Sequence, residues 1–295
     1  MFHSKIIDMR LRPPFKSFLQ TMLYKGFSTP GQMAWRKQMG LTLSPSAAAM
    51  DMDMTLAEMD ANSIELGVVI NRVTDGQNHD ELVELLEKYP GRFIGVPHLE
   101  PTNTEKALSD IDAYIIHGPC MAAYLEPGFR MEKEVMFCDD KRIYPIYERL
   151  EQNNIPLVMQ CGGAKNSMEF YPALSIEHIA SDFPKLKIAL IHGGWPQVLP
   201  MIHQALRHDN VYLSPDCYLG MPGFADYVLA ANTIIQDKML FGTAYPYYSF
   251  EDTIKLYLES GIKADILPKI FYDNAARFFG IYKGDYVVPD AHASV

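Results

Sequence analysis

The sequence predicts an α/β fold: a closed (β/α)8 TIM barrel with an insertion after its first strand. Two patterns point to it. Eight short, nearly continuous apolar runs recur along the chain, and a helical pattern lies between successive runs. Such strands belong to a parallel sheet buried on both faces, and eight units in this length close into a barrel. An open doubly wound sheet is the alternative, but no G-x-G-x-x-G turn follows the first run.

In chain order the strands are expected at Lys5–Met9, Leu66–Asn71, Phe93–Pro97, Met121–Leu125, Pro156–Gln160, Lys187–Ile191, Asn210–Ser214 and Lys238–Gly242. Each is a short apolar run. The helices between them carry apolar residues three and four apart, which places those residues on one face. They are expected at Thr55–Ser63, His79–Lys88, Thr104–Ile116, around Tyr144–Leu150, and at Ile176–Phe183, Gln197–Arg207, Ala225–Ala231 and Phe250–Glu259. Ala264–Phe279 reads as a closing helix pair around Pro268. The stretch 13–54 is too long for a strand-to-helix loop and is rich in Phe, Met and Tyr. It reads as an insertion that covers the barrel mouth or forms the arm of a homo-oligomer. Residues 1–295 are expected to form a single domain, with a tail from about Tyr286.

The 295 residues carry 36 acidic and 26 basic side chains, a net charge of −10. That balance excludes the basic footprint of a nucleic-acid binder. Cys120, Cys138, Cys161 and Cys217 have no C-x-x-C spacing and read as buried thiols of a reducing compartment. Strand pattern begins within five residues of Met1 and no apolar stretch is long enough to span a bilayer, so the expected location is the cytoplasm, away from membranes.

Barrel active sites sit where the strands end. The polar residues there are Asp8, Arg10 and Arg12; Asn71 and Arg72; His98 and Glu100; Glu126 and, just beyond, Arg130; Gln160 and Cys161; His192 and Trp195; Asp216 and Tyr218; and Thr243 and Tyr245. Strand periodicity places Asp8, Arg10 and Arg12 on one face. Each residue singly could be a hydrogen-bonded loop anchor; the set implies a site. The Gly162–Gly163 and Gly193–Gly194 pairs read as tight turns, with an anion-binding nest as the alternative.

Several segments resemble the amidohydrolase-related proteins of the amidohydrolase superfamily. That branch holds 2-amino-3-carboxymuconate semialdehyde decarboxylase, resorcylate-type decarboxylases and pyrone-dicarboxylate lactonases. KIIDMRLRP stands where the family has I-D-x-H-x-H-P, and PLVMQCGG stands at its fifth strand. LIHGGWP, MLFGTAYP and DNAARFFGI match its sixth-strand, eighth-strand and closing-helix motifs. The departures fall on the metal ligands that the resemblance implies. Arg10 and Arg12 replace two histidines, Gln160 or Cys161 replaces a histidine, and Ala244 replaces an aspartate, while His192 is kept. Arginine offers no lone pair to a metal. The expectation is therefore no metal and no cofactor, with the family zinc site lost; a relocated site of His98, Glu126, His192 and Asp216 is the alternative.

The resemblance implies an enzyme acting on a small carboxylated molecule, hydrolysing a substrate such as a lactone without a metal. The alternatives are a decarboxylase or other lyase, and an inactive barrel that binds an anion. His192, Asp216 and Glu126 are the expected catalytic residues. Arg10, Arg12, Arg72, Arg130, His98, Gln160, Trp195, Tyr218 and Tyr245 are the expected substrate-binding residues. Fixed guanidinium groups can hold a carboxylate or a developing oxyanion, and a histidine can move the proton.

Overall fold

The computed structural model describes residues 5–21, 24, 38, 42–127, 136–162 and 173–281. Among the described residues seven parallel strands are formed: β1 (Ile6–Leu11), β2 (Ile64–Ile70), β3 (Phe93–Val96), β4 (Ala123–Leu125), β5 (Leu157–Gln160), β6 (Ile188–Ile191) and β7 (Val211–Ser214). They pair as β1-β2-β3 and β4-β5-β6-β7. A bridge from His98 to Tyr124 joins the two sheets.

The expected eighth strand, Lys238–Gly242, does not form a ladder. Its place is taken by single bridges, Leu213 with Met239 and Leu11 with Tyr245. Met9 N–H donates to Phe241 O (3.0 Å) and Arg12 N–H to Tyr245 O (3.0 Å), so the ring still closes as a (β/α)8 barrel. The ladder breaks because Ala244 adopts a left-handed φ of 59°, which no regular strand contains. Gly242 is needed beside it: a Cβ there would lie 3.1 Å from Asp216 Cβ and 3.2 Å from Ser214 Oγ.

Period-two alternation sorts the strand residues into two layers. Val68, Ile70, Ile94, Val96, Tyr124, Val158, Ala189 and Ile191 fill the barrel with Phe278 and Phe279. Val69, Leu125, Leu157, Met159, Leu190 and Leu213 face the helices. In β1 the alternation slips. Ile7 and Met9 lie inside, yet Leu11 lies outside, and the register with β2 shifts between Asp8 and Leu11. A bulge of this kind re-aims side chains. It sends Arg10 and Arg12 into the mouth and leaves Asp8 on Thr243, so the expectation that all three share a face is corrected.

The helices are α1 (Pro45–Ala49), α2 (Met52–Ala61), α3 (His79–Lys88), α4 (Thr104–Asp110), α5 (Tyr144–Gln152), α6 (Ala173–Asp182), α7 (Val198–Arg207), α8 (Phe224–Ala231), α9 (Phe250–Glu259) and α10 (Asn274–Phe279). Four of their starts, those of α2, α3, α4 and α9, are written in the sequence as N-caps. Asp51, Asn78, Asn103 and Ser249 accept the backbone N–H of Met54, Glu81, Lys106 and Asp252. Helix α4 runs on as a π-helical turn, Ile111–Ile116, which completes the expected 104–116 segment. In the closing motif, buried Asn274 donates from Nδ2 to Met239 O (2.7 Å) and fastens α10 beneath the eighth segment. Of the insertion, residues 13–21 and 42–54 are described and hold a 3-10 turn, Lys16–Gln20, and α1. Its remaining aromatic and Met-rich part, apart from Tyr24 and Gln38, and the tail from Tyr286 lie outside the described residues. No helix among the described residues is long and apolar enough to cross a membrane.

Candidate active site

The strand ends converge on one polar cluster. Asp216, on the 3-10 turn after β7, is fully buried and anchors His192 twice. Its Oδ2 accepts His192 N–H (2.9 Å) and its Oδ1 lies 3.0 Å from His192 Nδ1. Asp216 Oδ1 also accepts Cys217 N–H (2.5 Å). An imidazole that donates from Nδ1 to a carboxylate leaves Nε2 as its acceptor. Arg10 reaches in from β1. Its Nη1 lies 2.7 Å from His192 Nδ1, contacts Nε2, and stands 3.3 Å from Asp216 Oδ2. Its Nη2 donates to Gln160 Oε1 (3.2 Å) at the end of β5.

Burial, with the charge of Arg10 added, pushes the His192 pKa down to about 4 against the pull of Asp216. The imidazole is therefore neutral at pH 7. The Asp216 carboxyl is held well below its ordinary range by His192 and Arg10, which outweigh the opposing effect of burial. Tyr218 packs edge-on against His192, ring centres 4.9 Å apart, and Trp195 stacks on Tyr218 at 5.1 Å. The Trp195 indole donates to Pro222 O (3.0 Å). His192, Asp216 and Ala244 follow three successive strand positions, and each has a left-handed φ: 66°, 42° and 59°. Non-glycine residues held there store strain, and such strain clusters at functional sites. The adjoining Gly193–Gly194 pair is a tight turn, with Gly194 N–H donating to Cys161 O (3.0 Å).

The other half of the mouth centres on Glu126. Arg72 grips it in a fork, Nε to Oε1 at 3.0 Å and Nη2 to Oε2. The Tyr124 hydroxyl lies 2.7 Å from Glu126 Oε2 and 2.9 Å from Gln160 Oε1, and so links the two halves. Against burial, Glu126 is held below its ordinary range by the charge of Arg72 and by hydrogen bonds from Arg72 and Tyr124. His98 Nε2 stands 4.0 Å from Glu126 Oε1, and burial keeps the ring neutral by lowering its pKa. Arg12 is buried, and desolvation together with Arg10 and Arg72 pushes it down to about 9, still a cation at pH 7.

Most of the expected site residues thus gather at one mouth. Tyr245 does not, which corrects its expected contact with substrate. It lies in the outer layer, stacked on Phe250 at 4.5 Å, and its hydroxyl meets Ser46 Oγ (2.9 Å) and Thr55 Oγ1 (3.1 Å). Two residues beyond Thr243, it follows the outward turn of the broken strand. Arg130 lies outside the described residues. Sequence reasoning missed Tyr124, which sits two residues before Glu126; the same strand parity that found Glu126 could have found it. It also missed Asp75, whose Oδ2 lies 3.6 Å from Arg72 Nη1.

Asp8 ties β1 to the eighth segment. Its Oδ1 accepts Arg10 N–H (3.0 Å) and Thr243 N–H (2.9 Å), and its Oδ2 accepts the Thr243 hydroxyl (2.5 Å). Complete burial raises its pKa from 3.8 to about 7. Between those values the folded chain holds a proton that the unfolded chain has lost. The Asp8 contribution is thus fully present below pH 4 and is lost as pH rises through about 7. Asp8→Asn keeps the Oδ1 acceptor and abolishes the titration. Urea unfolding at pH 5 and pH 8 should show the variant gaining stability relative to the parent at pH 8. An equal difference at both values would contradict this.

The family model described as Amidohydrolase matches residues 32–281. No curated protein sequence matches the chain. Among solved structures, an uncharacterized TIM-barrel protein from Bordetella bronchiseptica is 34% identical, with TM-score 0.86, over 94% of this chain and 99% of that one. A dihydroxybenzoic acid decarboxylase from Polaromonas sp. JS666, with bound manganese and the inhibitor 2-nitroresorcinol, is 16% identical, with TM-score 0.68, over 94% and 97%. A probable 2-pyrone-4,6-dicarboxylic acid hydrolase from Acinetobacter baumannii, with citric acid bound, is 12% identical, with TM-score 0.57, over 77% and 88%.

The manganese in the Polaromonas structure overturns the expectation of no cofactor, because metal accompanies this fold in its relatives. Among the described residues, one group could offer three metal donors: His192, Asp216 and Cys217, whose ligand atoms lie within 4.8 Å of one another. The group suits a metal poorly as arranged. The Arg10 guanidinium already occupies His192 and Asp216, and burial holds the Cys217 thiol protonated, far above its ordinary range. The closed barrel, its strand-end cluster and the family match over residues 32–281 agree, and this chain belongs to the amidohydrolase family.

Proposed function

We propose that the protein is an enzyme that hydrolyses a small carboxylated molecule such as a lactone, with His192 as general base. The observation that carries this reading is the Asp216–His192–Arg10 chain. The Asp216 carboxylate stands at Nδ1 of a neutral imidazole, and the Arg10 guanidinium touches both ring nitrogens. A neutral imidazole accepts a proton, as a base must. When a substrate carbonyl oxygen takes the Arg10 N–H, Nε2 is released and its basicity rises. Nε2 then removes a proton from water as the water oxygen adds to the carbonyl carbon. Arg10 balances the negative charge that develops on the carbonyl oxygen. Asp216 stabilises the imidazolium, which returns the proton to the leaving oxygen.

The relatives support a carboxylated substrate: one structure holds citric acid and is named as a dicarboxylic acid hydrolase. Decarboxylation is the second reading, favoured by the name of the Polaromonas relative. Both are tested by offering the purified protein a panel of carboxylated lactones and hydroxybenzoates, following ring opening and CO2 release separately. Ring opening is the expected result. CO2 release without it assigns the second reading, and saturable binding without either product makes the barrel a binding protein.

A further inference from the structure

Among the described residues three guanidinium groups stand at the mouth, and they are not equivalent. Arg10 faces Asp216, His192 and Gln160. Arg72 turns its Nε/Nη2 edge onto Glu126 and has Asp75 beside its Nη1. Arg12 is just as buried, with 2% of its surface exposed. Yet among the described residues its Nε and Nη2 have no hydrogen-bond partner, and it forms no ion pair. Those two N–H groups point the same way and match the spacing of two carboxylate oxygens. The edge that Arg72 pairs with Glu126 is the edge that Arg12 leaves without a partner among the described residues.

The arrangement around Arg12 is fixed rather than loose. Its backbone N–H donates to Tyr245 O (3.0 Å), and its carbonyl accepts the Tyr24 hydroxyl (2.8 Å). A buried charge is costly unless something pairs with it. The neighbouring ends of β2 and β3, in the same sheet, leave further buried polar atoms without partners: Asn71 Nδ2 and both ring nitrogens of His98. On the β5–β7 side of the mouth, Gln160, His192, Asp216 and Arg10 bond one another, while Arg10 Nε and Ser214 Oγ are left without partners.

We propose that the Nε/Nη2 edge of Arg12 is a subsite that anchors one carboxylate of the ligand, at the β1–β3 side of the mouth. This rests on the reading of the mouth as a site for a small carboxylated molecule, and it names the group that holds the carboxylate. Arg10 and Arg72 already have carboxylate partners in the chain, and of the three only Arg12 has both N–H groups of its Nε/Nη2 edge without a partner among the described residues. The ligand class is a small carboxylate whose reactive end extends toward His192.

The test is calorimetric titration of the full-length protein with benzoate, acetate and inorganic phosphate, repeated with Arg12→Met and Arg12→Lys. Benzoate should bind saturably and more tightly than phosphate. Binding should weaken at least tenfold in Arg12→Met and also in Arg12→Lys, because an ammonium keeps the charge and loses the fork. Circular dichroism of the unliganded variants checks the fold, and either variant suffices. Unchanged benzoate affinity in a folded variant, no benzoate binding to the parent, or a preference for phosphate would each overturn the subsite. Arg12-dependent benzoate binding without turnover of any lactone or hydroxybenzoate would keep the subsite and remove the proposed reaction. Turnover with inhibition by benzoate that ignores Arg12 would do the reverse.

Discussion

Arg72→Met and Arg12→Met are expected to change stability in opposite directions, although both remove a buried arginine from the same barrel mouth. Arg72 is the forked partner of Glu126, which is itself only 3% exposed. Without it, Glu126 keeps the Tyr124 hydroxyl and a long contact to Thr74 Oγ1 (3.4 Å), and its charge is left in a dry site. Breaking a buried pair from one side costs about 3–5 kcal/mol. In a chain of this size that corresponds to a fall in Tm of roughly 10 °C. Arg12 leaves no described carboxylate behind. Replacing an unpaired buried cation by an apolar side chain of similar length should stabilise the unliganded protein by about 1–3 kcal/mol. Thermal and urea unfolding of the two variants checks both signs. The double variant Arg72→Met/Glu126→Gln should recover the part of the loss that comes from Glu126, while the contact of Arg72 with Asp75 stays lost. Two shifts of the same sign would show that the charges at the mouth are not paired as described.

His192→Ala should lower kcat by 10²-fold to 10⁴-fold or more, the range spanned by a positioned acid–base group. Asp216→Asn should approach the same loss by a different route. It removes the charge that favours the imidazolium and presents an amide where His192 N–H and Nδ1 now find oxygen. The two losses should not add in the double variant, because both act through one proton transfer. Additive losses, or full activity in His192→Ala, would remove His192 from the mechanism. Stability should respond to pH through the same pair. The folded pKa values of His192 and Asp216 lie below their ordinary values. Their contribution is therefore present above the unfolded values and is lost as pH falls, in the direction opposite to Asp8.

Much of the architecture was legible from local signals. Seven of the eight strand segments and the helices from His79 onward fall within a few residues of their expected places. Apolar runs and N-cap residues act over a few positions and need no knowledge of distant partners. The eighth strand misled for a reason that is also local in effect and distant in origin. The apolar run Met239–Phe241 is real, but close packing of Gly242 against Asp216 and Ser214, and the left-handed Ala244, stop the ladder. Likewise, β1 reads as a simple alternation, and only pairing with β2 reveals the bulge that separates Asp8 from the arginines.

The sequence by itself determined the barrel and its polar strand ends, Arg10 and Arg12 among them, because strand parity and residue chemistry are properties of short segments. Which arginine is paired and which is not was decided only in three dimensions. Arg10 meets His192 and Asp216, which lie 182 and 206 residues away in the chain, and Arg72 meets Glu126 across β3. Arg12 differs from both only in what the folded chain places beside it. Charge pairing acts through space over a few ångströms, and it is closure of the barrel that brings strands one, two, four, six and seven within that range.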